Sequence, residues 1–142
     1  MAKLERWKVD TVLETLLLVE GEPTARNLMK FMLEVNGYRV VEAADGVEAL
    51  QILDQYGGNI HVALCAGDLP DMSGPEWRSQ ARFLAPGLPV LVFADRDCAE
   101  LAAPAFAAPV SDARKVGGKF LERIRLSLDE SFFVRCGRAP AA

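Results

Sequence analysis

Acidic residues follow three of the short apolar segments in this chain. Glu20 comes directly after the first of these segments, Asp68 lies three residues beyond the third at Cys65, and Asp95 closely follows the fourth. A carboxylate can attack phosphorus, and several carboxylates together can hold Mg²⁺, which prefers hard oxygen ligands. The positions of these acids therefore raise the question of phosphoryl or cation chemistry at one edge of a sheet.

Cysteine is the other reactive residue type in the chain. Cys65 lies inside an apolar segment and is predicted to be a small buried hydrophobic residue. Cys98 and Cys136 lie elsewhere, and an exposed thiol at either position would be oxidisable. Three widely spaced cysteines fit neither a disulfide framework nor a metal motif, which favours a reducing cytoplasm.

The apolar segments have the length and composition of buried strands. Continuous apolar runs are typical of strands in a parallel sheet that is covered on both faces. The strands are predicted at residues 15–19, 38–43, 61–65, 90–93 and 110–112. They alternate with helical segments, which predicts an α/β fold with one five-stranded parallel sheet and helices on both faces.

The helical segments have recognisable ends. Helices are predicted from Pro23 to the Asn36-Gly37 pair, from an Asp45 cap to about residue 56, from Pro75 to about residue 84, and from Gly118 to about residue 128. The fourth helix of the fold is expected to be shortened or irregular, because Pro104 interrupts residues 99–107. An apolar stripe is predicted to face inward on the first helix: Ala25, Leu28, Met29, Met32, Leu33 and Val35. In the next helix Val47, Leu50 and Leu53 are predicted to face inward.

Composition excludes several classes of function. Sixteen basic and twenty acidic side chains give a net charge of −4, which argues against nucleic acid as the main partner. The apolar runs are far too short to span a bilayer, so no membrane segment is expected. The first seven residues are charged and lack the apolar region of a signal peptide. We therefore expect a cytoplasmic location.

An ordered series of short motifs runs along the chain. It consists of Glu20-Gly21-Glu22-Pro23, Asn36-Gly37-Tyr38, Asp45-Gly46-Val47-Glu48-Ala49-Leu50, Leu69-Pro70-Asp71-Met72-Ser73-Gly74 and Pro89-Val90-Leu91-Val92-Phe93. In this order, the series resembles the receiver domain of two-component response regulators over residues 15–128. The resemblance implies a phosphate-transfer pocket at the carboxyl ends of the strands.

The resemblance also implies where the pocket side chains belong. An adjacent acidic pair should follow the first strand, where this chain has Glu20 and Gly21. The phospho-accepting aspartate should lie four residues before Pro70, which is Ala66, and the hydroxyl residue should be at Ala94. The pocket lysine should fall at Ala113, or at Lys115 if the alignment contains a gap.

The missing side chains predict lost chemistry. We expect a phosphorylation-independent pseudo-receiver that acts as a protein-binding adaptor or regulator, with no enzymatic activity, no cofactor and no bound metal. One alternative is a redox or small-ligand sensor that uses the vacated pocket or the cysteines. Another is a residual aspartyl-phosphate receiver that uses Asp68. A cation held by Glu20 with Glu22 or Asp95 is disfavoured, because isolated carboxylates bind Mg²⁺ poorly.

Large apolar groups outside the expected core indicate where a partner could bind. The resemblance implies a protein partner such as a histidine kinase or another two-component protein, and a homodimer is a further expectation. Domain bounds are predicted at 1–14 for an N-terminal extension with a short helix, 15–128 for the degenerate receiver domain and 129–142 for a C-terminal tail. The candidate partner-binding side chains are Trp7, Trp77, Phe106, Phe132 and Phe133.

Overall fold

The computed structural model describes residues 14–94 and 118–135. Strands and helices alternate through the first of these ranges, and a helix fills the second. The elements are β1 (Thr15–Val19), α1 (Pro23–Val35), β2 (Arg39–Ala43), α2 (Gly46–Tyr56), a 3₁₀ turn (Gly57–Asn59), β3 (Val62–Ala66), α3 (Gly74–Leu84), β4 (Val90–Phe93) and α4 (Gly118–Arg135). None of the helices in these ranges is long and apolar enough to cross a membrane.

The strands form one parallel sheet in the order β2-β1-β3-β4. Leu17 at the middle of β1 pairs with Val41 on one side and Ala63 on the other. The predicted α/β class with a parallel sheet is confirmed, but the described residues contain four strands where five were expected. The predicted fifth strand at 110–112 and the irregular segment at 99–107 lie outside the described residues, as do residues 1–13 of the predicted extension.

The two central strands are covered on both faces. All five residues of β1 and all five of β3 are buried, and Leu16, Leu17 and Leu18 are fully inaccessible to solvent. A strand that buries both faces must be apolar at every position, which explains the continuous apolar runs in the sequence. The carboxyl ends of these buried strands form part of the sheet edge at which the pocket lies.

The inward face of α1 is narrower than the sequence pattern predicts. Met29, Met32 and Leu33 are buried, but the prediction is wrong at Leu28 and Val35, which are 38% and 63% exposed. On a helix, only the side chains nearest the sheet can reach it, and these two lie at the margins of the buried stripe.

The caps of α2 and α3 follow the sequence. The Asp45 carboxylate accepts a hydrogen bond from the Glu48 amide at 2.8 Å, and Ser73 and Glu76 form a reciprocal capping box at the start of α3. The predicted burial of Val47 is wrong, because this residue in the first turn of α2 is 52% exposed.

The last helix packs on the sheet through Phe120, Ile124 and Leu128, all of them buried. Arg125 on the same helix donates to the Glu14 carboxylate at 3.2 Å and to the Tyr38 hydroxyl at 3.0 Å. The helix continues past the expected end at residue 128 to Arg135, so the predicted tail begins inside the helix.

Candidate functional site

A cavity of about 220 Å³ lies at the carboxyl ends of β1, β3 and β4. This is the edge where ligands bind in open α/β sheets. Its lining includes the end of β3 and the residues that follow the three strands: Glu20, Ala66, Gly67, Asp68, Phe93 and Ala94. The structure therefore brings together three of the pocket positions predicted from the sequence, Glu20, Ala66 and Ala94.

The end of β3 presents a methyl group to this cavity. Ala66 is 6% exposed and is the last residue of the strand. Its neighbour Gly67 donates to the Phe93 carbonyl at 3.0 Å and accepts from the Gly74 amide at 2.8 Å. These bonds hold the end of the strand in place, and the alanine at position 66 has no side-chain oxygen that could attack or coordinate a ligand.

Gly74 explains why the loop after β3 returns so closely to the strand. A Cβ atom added to Gly74 would lie 2.5 Å from the Ala66 carbonyl oxygen and 3.0 Å from Val92 Cγ1. No larger residue fits at this position without moving the backbone. Gly74 therefore fixes the start of α3 against the end of β3.

The polar atoms of Glu20 form hydrogen bonds with residues that lie close to it in the chain. One carboxylate oxygen accepts a hydrogen bond from the Glu22 amide at 3.1 Å, and its backbone carbonyl accepts from Arg26 at 2.8 Å. The Glu22 carboxylate in turn caps α1 by accepting from the Ala25 amide at 2.8 Å. Glu20 thus lines the cavity while it orders the start of α1.

Gly21 has no space for a side chain. A Cβ atom built on this residue would lie 2.8 Å from both Cγ and Cδ of Pro70 and 3.3 Å from the Ala44 carbonyl oxygen. Pro70 belongs to the loop after β3, so that loop occupies the volume beside β1 that a second acidic side chain would need.

Asp71 joins the same loop to the start of α2. Its two carboxylate oxygens accept hydrogen bonds from the Gly46 amide at 2.9 Å and the Val47 amide at 3.0 Å. The hydrogen bond from Gly46 is the main cause that lowers the pKa of the Asp71 carboxyl. Asp71 acts as a second cap for α2, because both of its carboxylate oxygens accept hydrogen bonds from backbone amides.

Trp77 adds a buried contact between the loop and α2. The side chain is fully buried, and its indole nitrogen donates to the Gly46 carbonyl at 3.1 Å. A Cβ atom on Gly46 would lie 2.7 Å from the Met72 sulfur, so Met72 also packs tightly here. The prediction that Trp77 binds a partner is therefore wrong, because its surface is used within the domain.

Asp68 is the remaining acid in the cavity lining. It is exposed, and its backbone forms an isolated antiparallel bridge with Ser73. Among the described residues no group of three or more His, Cys, Asp or Glu side chains could hold a metal ion. Asp68 and Glu20 are the carboxylates that this part of the chain contributes to the cavity lining.

Among the described residues, the thiol of Cys65 is buried within the fold and the imidazole of His61 bonds to the backbone. Cys65 is buried, and burial is the main cause that raises the pKa of its thiol to about 12. The ring of His61 accepts a hydrogen bond from the Thr15 amide at 2.9 Å. Cys98 and Cys136 lie outside the described residues, and their predicted redox role stays a prediction.

Several other predicted positions also fall outside the described ranges. They are Trp7, Asp95, Phe106, Ala113 and Lys115. Phe132 and Phe133 fall within the range of α4, and their part in binding stays a prediction.

The structure also shows an exposed apolar surface on α1, and two of its residues, Leu28 and Val35, had been predicted to face the core. Phe31 is 62% exposed on α1 and lies between Leu28 and Val35, which are also exposed. Together with Thr24, these residues are spaced by four, three and four positions, which places them on one face of the helix. We call Thr24, Leu28, Phe31 and Val35 the α1 face. In the sequence, the residue that indicates this surface is Phe31, a large apolar residue that lies outside the predicted inward stripe.

Segments of this sequence are similar to segments of known proteins. The sensor kinase CckA of Brucella abortus is 38% identical over 74 residues, which cover 52% of this chain and 8% of that protein. The aerobic respiration control protein ArcA of Escherichia coli is 41% identical over 59 residues, which cover 42% of this chain and 24% of that protein. The chain thus spans less than a quarter of the length of these relatives.

The fold is shared with solved receiver structures. A CheY-like receiver domain protein from Methanospirillum hungatei has a TM-score of 0.64 and 25% identity, with 84% of this chain and 97% of that chain covered. The receiver domain of the hybrid histidine kinase CckA has a TM-score of 0.58 with 80% and 98% covered, and at 24% identity it supports the fold alone. The sequence model of the family described as the response regulator receiver domain matches residues 16–113 of this chain. The chain therefore belongs to the response regulator receiver domain family of two-component signalling.

Proposed function

We propose that this protein is a pseudo-receiver that works without phosphorylation and acts by binding a protein partner rather than by catalysis. The observation that carries this proposal is Ala66. The receiver resemblance assigns the phospho-accepting aspartate to this position, and the rigid end of β3 presents only a methyl group to the cavity. Without a nucleophile at this point, no aspartyl-phosphate can form there.

Two neighbouring positions support the same conclusion. Ala94 stands where the resemblance places a hydroxyl group that would bind the transferred phosphoryl oxygens. Gly21 stands in place of an acid, and Pro70 fills the adjoining space. With Ala66, these changes remove two of the carboxylates that would hold Mg²⁺, the hydroxyl group for the phosphoryl oxygens and the nucleophile, and leave Glu20.

The loop after β3 is also held without any ligand. Asp71 and Trp77 bind both polar groups of the Gly46 backbone, the amide through a carboxylate and the carbonyl through the indole. A conformational switch needs a ligand that binds two states with different affinity. We therefore propose that the pocket end of the domain stays in one conformation.

We propose that the α1 face is the surface that binds the partner, and that the occupant is a helix of a histidine kinase or a related two-component protein. The four-three-four spacing of the α1 face matches the seam of paired helices. Glu34 is exposed beside this face and adds negative charge at its rim. A partner helix with an apolar seam and a basic residue opposite Glu34 would complement it.

A phosphorylation assay tests the first part of the proposal. The protein is incubated with acetyl phosphate and Mg²⁺, and its intact mass is measured beside that of a receiver that has its aspartate. We expect added phosphate on the control receiver and none on this chain. Stable phosphorylation that disappears in Asp68→Asn would contradict the proposal and support the residual receiver that uses Asp68.

A binding titration tests the second part. A purified histidine kinase is titrated with the wild type and with Phe31→Ala, in the presence and absence of ATP. Truncation of an aromatic anchor costs about 2 kcal/mol, so Phe31→Ala should weaken binding roughly thirtyfold. Phe83→Ala removes a still more exposed aromatic, from α3, and should leave the affinity unchanged. Binding that requires ATP, or that ignores Phe31→Ala, would contradict the proposal.

A further inference from the structure

A second and larger cavity, of about 410 Å³, opens at the opposite edge of the sheet from the pocket. Its walls come from the end of α2 with the 3₁₀ turn on one side and the end of α3 with the connection to β4 on the other. Leu53, Leu84 and Leu88 contribute apolar surface to its lining, and Asp54 contributes a carboxylate. The receiver chemistry does not involve this cavity.

Exposed apolar side chains flank this cavity. Phe83 is 87% exposed, the largest exposure among the large apolar residues that the structure describes. Leu84, which follows it and lines the cavity, is 44% exposed, and Tyr56, which directly precedes the lining residue Gly57, is 54% exposed. A highly exposed phenyl ring therefore belongs to the residue that directly precedes, in the chain, a residue lining the cavity.

We infer that this surface joins two copies of the chain, with Phe83 of each copy seated in the cavity of the other. A two-fold interface uses the same patch on both subunits, so the patch must complement itself. A projecting ring beside a hollow meets that requirement. A cavity of about 150 Å³ is enough to hold one benzene ring, so the hollow here can accept a phenyl group.

The charges of the patch complement each other in the same arrangement. Arg82 is exposed in the last turn of α3, directly before Phe83, and Asp54 lies on the α2 side of the cavity. Within the part of the chain that the structure describes, neither side chain belongs to a salt bridge. When Phe83 enters the cavity of the second copy, Arg82 approaches Asp54 of that copy, and symmetry makes the contact twice.

Sedimentation velocity on the full chain tests this inference. The mass is followed from about 10 μM to about 1 mM, a range that covers the weak dissociation constants of small interfaces. We expect the wild type to shift from monomer to twice the monomer mass as the concentration rises. Phe83→Ala should weaken this association at least about tenfold, because the change is made twice in a symmetric dimer. Phe31→Ala, on the α1 face, is the matched control and should dimerise like the wild type.

A charge exchange tests the contact between Arg82 and Asp54. Arg82→Glu and Asp54→Arg should each remain monomeric, because each homodimer would place like charges together. An equal mixture of the two variants should dimerise, because both contacts then join opposite charges. Each changed residue is exposed, and circular dichroism checks that the fold is kept.

Three outcomes would contradict the inferred dimer. A wild type that stays monomeric to about 1 mM, or a Phe83→Ala protein that keeps the wild-type dimer, would overturn the inference. Failure of the mixed variants to pair would overturn it too, because symmetric seating of Phe83 requires the charged contact. This surface is separate from the α1 face, so its failure leaves the proposed function unaffected.

Discussion

The ring of Pro70 lies against Gly21, with Cγ and Cδ at 2.8 Å from the point where a Cβ atom would be. Pro70 comes from the loop after β3, whereas Gly21 follows β1. The two residues therefore bring the loop after β3 into contact with the residue pair that follows β1. A proline ring has little freedom to move aside, and the Ala44 carbonyl blocks another direction at 3.3 Å. The absence of a side chain at position 21 leaves room for the loop to approach this closely.

Gly21→Asp should destabilise the domain by about 1–3 kcal/mol, because the added atoms must displace the Pro70 loop. Urea denaturation followed by circular dichroism measures this change. Gly87→Ala is the control, since nothing lies within 4 Å of its added Cβ. Combining Gly21→Asp with Pro70→Ala should recover part of the loss. Purely additive effects in the double variant would show that the two residues do not compete for space.

Asp71→Asn should lower the melting temperature at neutral pH, because the carboxylate that caps α2 loses its charge. Since the folded pKa of Asp71 is lowered, its stabilisation is present above the unfolded carboxyl value and is lost as pH falls through the folded value. The wild type and Asp71→Asn should therefore converge in melting temperature in strongly acidic buffer. Asp68→Asn, in the same loop, is the control and should change little. A difference that persists undiminished at low pH would contradict this role.

Trp77→Phe should destabilise the domain, because it leaves the Gly46 carbonyl without its indole donor, at a cost of about 1–3 kcal/mol. Trp77→Ala should cost about 3–5 kcal/mol, since it also empties a buried volume. Phe83→Ala removes an exposed ring and should stay within about 0.5 kcal/mol of the wild type. Chemical denaturation in dilute solution compares all three. A near-neutral Trp77→Ala would mean that the indole is not buried in solution.

Cys65 should resist thiol reagents in the native protein. Its pKa of about 12 leaves almost no thiolate at neutral pH, and the side chain is buried. In a Cys98→Ser, Cys136→Ser background, Ellman's reagent should label Cys65 only after denaturant is added. The same background with Cys65→Ser provides the blank. Rapid labelling of the folded protein at pH 7 would favour the redox alternative.

Local sequence was enough to predict most of the fold. The apolar runs at β1, β3 and β4, the cap at Asp45 and the helix start near Pro75 are encoded in adjacent residues, since strand burial and helix initiation depend on short-range pattern. The resemblance to receiver domains, which places the pocket aspartate four residues before Pro70, predicted that Ala66 lies at the cavity.

Only the tertiary structure decided which apolar side chains face solvent and which contacts close the pocket. Leu28 and Val35 have the spacing of core residues, yet they are exposed, because the sheet reaches only the middle of the buried stripe on α1. The sequence left open whether Trp77 packs within the domain or anchors a partner, and the structure shows that Gly46, 31 residues away, accepts its indole hydrogen bond. The approach of Pro70 to Gly21 likewise joins distant segments. Such contacts depend on how strands are ordered in the sheet, and no local pattern contains that order.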